Sequence, residues 1–176
     1  MTFTYQGPAS AGPFFLLKRG LEGIDRVVYG IIIAAMTGMT GLVAVQVFVR
    51  YVMSSSIDSA DELSRLFFIW AMFMAIPHGI KLGIHVSIDV LIRKLNPAVQ
   101  ETLFRLMCVA SAALMILVFY VTIYVTADKW QDMMPTLDVT AAVYYIPVLL
   151  SAGHSFLHLV VFAWGGSKIW GEAVAR

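Results

Sequence analysis

The sequence predicts an all-α integral membrane protein with four transmembrane helices and an amphipathic helix lying in the interface between the second and third. Of its 176 residues 60% are hydrophobic and 13% charged, whereas soluble chains carry roughly 45–50% and about 25%. Mean hydropathy is +0.82. Stretches free of charge recur at lengths near the roughly 20 residues that cross a hydrocarbon core of about 30 Å. A water-soluble domain of this size could not enclose so much apolar surface, so lipid is part of its solvent.

Met1 to Pro13 carries no positive charge ahead of the apolar run, unlike a cleaved secretory signal, so residues 1–25 are expected to remain as a loosely ordered N-terminal segment. Span one, about 26–51, rests on Val27 to Val49, which contains no Asp, Glu, Lys or Arg. Span two, about 60–81, starts at Ser59-Ala60-Asp61-Glu62, which has the Ser-x-x-Glu form of a capping box. Pro77 is expected to kink or loosen its end. Residues 84–95 fit either period: Ile84, Ile88, Leu91, Ile92 and Leu95 share a helical face, while Leu82 to Val90 alternate as a strand would. A helix is preferred, because an isolated strand at a membrane surface leaves backbone groups unpaired.

Asn96-Pro97 opens span three, about 97–127. Span four, about 139–165, carries Pro147 as an expected kink and Trp164 near an interface, and a short tail, 166–176, follows. Lys18, Arg19, Arg26, Lys81, Arg93, Lys94, Arg105, Lys168 and Arg176 fall on one side, against Arg50, Arg65 and Lys129 on the other. The positive-inside rule therefore puts both termini and the 81–105 segment in the cytoplasm. No internal repeat divides the chain, so 1–176 reads as a single membrane domain.

Several function classes drop out. No basic cluster with interleaved aromatics suggests nucleic acid. Cys108 is the only cysteine, which excludes an internal disulfide and metal sites built on paired cysteines. No Ser-His-Asp set, phosphate loop or zinc signature appears, so an enzyme is not expected and neither is a cofactor or metal.

His78, His154 and His158 raise the alternative of a haem-binding anchor subunit of a quinone oxidoreductase, since His154 and His158 share a helix face. Without a cysteine or carboxylate beside them in the sequence, contacts between helices or with a partner are the preferred reading. Asp61, Glu62 and Arg65 suggest an ion relay, but a capping box already accounts for the carboxylates. His85, Asp89 and Arg93 recur at spacing four as a polar stripe on the interfacial helix. A stand-alone four-helix exporter fits size and helix count, but the spans hold no charged residue of the kind such a transporter would use.

Four segments, in order, resemble the small membrane subunit of tripartite ATP-independent periplasmic (TRAP) transporters. These are Gln46-Val47-Phe48-Val49-Arg50-Tyr51, Asp61-Glu62-Leu63-Ser64-Arg65 with Leu66-Phe67-Phe68-Ile69-Trp70, Gly83-Ile84-His85-Val86-Ser87-Ile88-Asp89, and Tyr145-Ile146-Pro147-Val148. The family more often has Glu-Glu where this chain has Asp61-Glu62, and an Arg-rich turn where it has Lys81-Leu82-Gly83. The resemblance implies a scaffold in the bacterial inner membrane, in contact with lipid and forming a heterodimer with a large multi-spanning permease. That permease would hold the substrate and sodium sites, and a periplasmic binding protein would deliver an organic acid. It also implies that Arg50, Asp61, Glu62, Arg65, Trp70, His85 and Asp89 maintain the subunit's shape or its contact with the permease, with no substrate site in this chain.

Overall fold

Inside a hydrocarbon layer a backbone N–H finds no water, so a crossing segment must close its own hydrogen bonds, and a long apolar stretch becomes a helix. The computed structural model describes residues 13–81 and 96–165. In them four helices form: α1 (Pro13–Val52), α2 (Asp58–Lys81), α3 (Pro97–Asp128) and α4 (Ile146–Gly165), the last preceded by a 3-10 turn, Ala141–Tyr144. The stretches long and apolar enough to cross a membrane are Gly20–Val52, Asp58–Lys81, Val99–Asp128 and Ala141–Trp164. No strand occurs among the described residues. The expected all-α class and four spans are therefore observed, whereas the expected interfacial helix over 84–95 and the tail lie outside the described residues.

Two boundaries differ from expectation. The chain is helical from Pro13, well ahead of the start of span one expected at about residue 26. The charges at 18, 19, 22, 25 and 26 lower local hydropathy but do not interrupt a helix, so a span edge drawn by charge stops short of the helix end. Pro147 is the second residue of α4, where a missing N–H costs nothing because first-turn donors have no partner within the helix. The bend falls before it: Tyr145 N–H donates to the Ala142 carbonyl at 2.9 Å, and Thr140 caps the turn by accepting from Ala142 N–H at 3.0 Å. Pro77, by contrast, lies inside α2, which runs on to Lys81 with the proline ring fully buried.

The main packing contacts run α1 on α2, α2 on α4 and α4 on α3. The two middle helices are thus α2 and α4: 44% of the apolar stretch of α4 is buried, against 6% in α1. Ile80, Cys108, Ala112, Leu159 and Phe162 form a buried core where α2, α3 and α4 meet. Thr40, Thr122 and Thr126 return their hydroxyls to the carbonyls of Met36, Val118 and Thr122, which satisfies them without a partner helix.

Lipid tails are as apolar as the helices, so close backbone approach supplies much of the association energy between them. Gly38 provides it between α1 and α2, where a Cβ would sit 3.3 Å from the Phe67 ring; Gly153 faces Phe119 similarly at 3.5 Å. Gly41 meets nothing within 4 Å. Replacing Gly38 by Val should therefore overpack this contact and cost about 1–3 kcal/mol, while Gly41→Ala should be neutral or slightly stabilising. Thermal unfolding of the two variants in detergent checks this; equal midpoints would show that α1 does not depend on the approach.

Candidate functional site

Polar side chains gather at the two ends of the bundle. At the end where α1 runs into α2, Ser54 adopts a positive φ of 49° and turns the chain through residues 53–57. Asp58 and Asp61 stand in the first turn of α2, favourably placed on the helix dipole. Gln46 of α1 donates from Nε2 to Asp61 Oδ1 at 2.8 Å, so the acid ties two helices together.

Glu62 does not close a capping box. With α2 beginning at Asp58 it lies past the first residues of the helix, and its carboxylate reaches instead to the connection between α3 and α4. There Oε2 accepts from the Thr136 backbone N–H at 2.9 Å and from the Thr136 hydroxyl. The Glu62 carbonyl accepts from the Tyr144 hydroxyl at 3.3 Å, and Trp70 Nε1 donates to the Val143 carbonyl at 3.2 Å. These contacts fasten α2 to both sides of the last connection.

That connection is itself folded. Met134 N–H donates to Val139 O at 2.9 Å, Ala141 N–H to Asp132 O at 2.7 Å, and Met134 is buried. Lys129 pairs with Asp132 at 2.8 Å and Asp128 at 3.5 Å. The hydrogen bond it donates to Asp132, and the charge of that carboxylate, hold the ammonium above the ordinary lysine value.

Arg50 and Arg65 take no part in these ties. Both are exposed, and Asp61 and Arg65 form no ion pair despite their spacing of four. Arg50 lines an open polar cleft with Gln46, Ser54, Ser55 and Asp58, and Arg65 lines a neighbouring one with Met39, Val43 and Phe68. His85 and Asp89 lie outside the described residues. The structure thus joins Asp61, Glu62 and Trp70 in one set of ties and leaves the two arginines facing outward.

The opposite end holds a group that sequence reasoning missed. Asp25, assigned to the segment before span one, lies in α1 and is 6% exposed. Its Oδ1 is 3.0 Å from His154 Nε2 and 2.9 Å from His158 Nε2, and the two ring nitrogens are 3.1 Å apart. Lys81, at the end of α2, donates from Nζ to Oδ2 at 2.5 Å. The histidines therefore do have a carboxylate beside them, brought by the fold rather than by sequence. The signal was periodic: Leu21, Asp25, Val28 and Ala35 are buried along one stripe of α1.

Both histidines come from one helix and converge on one point, which is the wrong arrangement for ligating opposite faces of a haem. His78 lies elsewhere, with its ring 5.8 Å from that of Tyr29.

Replacing Glu62 by Ala should remove two hydrogen bonds to a charged acceptor and cost about 1–2 kcal/mol, toward the lower end of such contacts because the site is partly exposed. Glu62→Gln should retain part of this. Proteolysis of the 129–140 connection together with thermal unfolding reads it; unchanged values for Glu62→Ala would mean the tie contributes nothing.

The comparisons bear on the chain as a whole. The profile of the family described as tripartite ATP-independent periplasmic transporters, DctQ component, matches residues 39–168. One Haemophilus influenzae protein described as a TRAP transporter small permease protein is 34% identical over 80 residues, covering 46% of this chain. That alignment spans half of the relative's own length. A second protein of the same description and organism is 22% identical over 140 residues, covering 80% of this chain and 84% of the relative. The match over most of the length, on a chain with four helices able to cross a membrane, places this protein in the DctQ family of TRAP transporter components.

Proposed function

We propose that this chain is the non-transporting scaffold of a TRAP-type secondary transporter in the bacterial inner membrane. It braces a large permease subunit that takes up an organic acid with sodium, the acid being delivered by a periplasmic binding protein. Arg50, Asp61, Glu62, Arg65, Trp70, His85 and Asp89 serve its shape or its permease contact, and both termini face the cytoplasm. The observation that carries this reading, beside the family, is the use to which the charged side chains are put. Asp61, Glu62, Lys81 and Asp25 are all engaged in holding helices or connections to one another.

The apolar surfaces support the same reading. On α1, packed chiefly on α2, Val27, Ile33, Val47 and Phe48 are exposed, and on α3 so are Leu106, Leu114 and Leu117. These faces suit lipid on one side and the helices of a larger membrane subunit on the other.

Two outcomes test the proposal. Co-expressed with the large permease, this chain should co-purify with it from mild detergent, and sodium-dependent acid uptake in liposomes should require the permease and the binding protein. Solute movement by this chain reconstituted alone would refute the scaffold role. For orientation, a cysteine at Ser55 in a Cys108→Ala background should react with an impermeant thiol reagent applied from the periplasmic side; reaction only from the cytoplasmic side would invert the topology.

A further inference from the structure

We propose that Asp25, His154 and His158 form a binding site for one first-row divalent transition-metal ion, for which zinc is the probe. The three donor atoms, Asp25 Oδ1 and the two Nε2, lie 2.9–3.1 Å from one another. Two imidazoles and a carboxylate are a donor set that such ions favour. Ligand bonds of about 2.0–2.1 Å at tetrahedral angles separate donors by roughly 3.3 Å, so the triangle needs to open by only a few tenths of an ångström.

Proton placement distinguishes the ion-free cluster from the ion-bound one. Lys81 holds Oδ2, so the carboxylate is ionised and Oδ1 can only accept. Without an ion both Nε2 atoms can carry hydrogen and donate to Oδ1, which brings the two N–H groups side by side at 3.1 Å; if either is bare, its lone pair faces Oδ1 at 2.9 or 3.0 Å. A single cation at the meeting point of the three lone pairs would take the place of those two hydrogens, with each imidazole then carrying its proton on Nδ1. His154 Nδ1 is enclosed without a partner, as is the Oγ of the adjacent Ser155, so no neighbour locks His154 in the opposite tautomer.

The surroundings complete the site. Phe162 lies against the His158 ring at 6.4 Å between centroids. Lys81 occupies Oδ2, which leaves Oδ1 to face the two imidazoles. The ion would link α1 to α4, two helices with no extensive packing contact of their own, and the inference stands whether or not the permease is the partner.

The test uses the full chain, purified in detergent through a tag without histidine, stripped with chelator and titrated with Zn²⁺ or Co²⁺. One ion per chain should bind saturably, with the ligand-field bands of low-coordinate Co²⁺. Asp25→Asn, His154→Gln and His158→Gln should each weaken binding at least about tenfold, since even outer-shell changes cost about 10–100-fold; His78→Gln should not change it. No saturable binding at one per chain, or equal affinity in all three variants, would overturn the site. Should the variants aggregate, the wild-type Co²⁺ spectrum decides: bands that zinc abolishes support the site, and the pale spectrum of the hydrated ion rejects it.

Discussion

Lipid offers no hydrophobic reward for bringing one apolar helix against another, and the arrangement of this protein follows from that constraint. Close packing does part of the work, where Gly38 admits Phe67 and Gly153 admits Phe119. The remainder is done by polar groups at the two ends of the bundle. At one end Asp61 reaches α1 and Glu62 and Trp70 reach the connection before α4; at the other, Asp25 joins α1 to Lys81 of α2 and to two histidines of α4. The middle of the membrane is left to apolar and small side chains, with hydroxyls turned back on their own helices. Polar contacts at the ends fix which helices meet and in what register, a task that uniform apolar surfaces cannot perform.

The helices were legible because their cause is local. A stretch such as Val27 to Val49 needs only length and absence of charge to become a span, and each residue contributes independently of its neighbours in space. Partnership was not legible. Glu62 stands three residues after a serine, and the sequence offers the nearby backbone as its partner; the fold supplies Thr136, 74 residues away, instead. Pro147 reads as an interior kink until the 3-10 turn before it shows that the helix has only begun. Asp25 was passed over because hydropathy ranks residues by composition, while burial depends on the face they occupy, and its stripe with Leu21 and Val28 continues a helix beyond the apolar run.

The family profile begins at residue 39, so it takes in His154 and His158 but not Asp25. Membership therefore describes the helical frame and the ties at the Glu62 end more than it describes the buried carboxylate. Asp25, His154, His158 and Lys81 are occupied with one another. Arg50 and Arg65 are different: both are exposed beside open clefts and neither pairs with Asp61.

The length of α1 has a mechanical consequence. Its 40 residues make a rod about 60 Å long at about 1.5 Å per residue, near twice a typical hydrocarbon thickness of about 30 Å. Its neighbour α2 has 24 residues. Such a rod must lean or protrude, and its seam with α2 together with the ties of Asp25 to α2 and α4 fixes its slope along the stretch they cover. A thicker or thinner bilayer is thus met by the reaches of α1 that lie beyond these ties rather than by a swing of the whole helix.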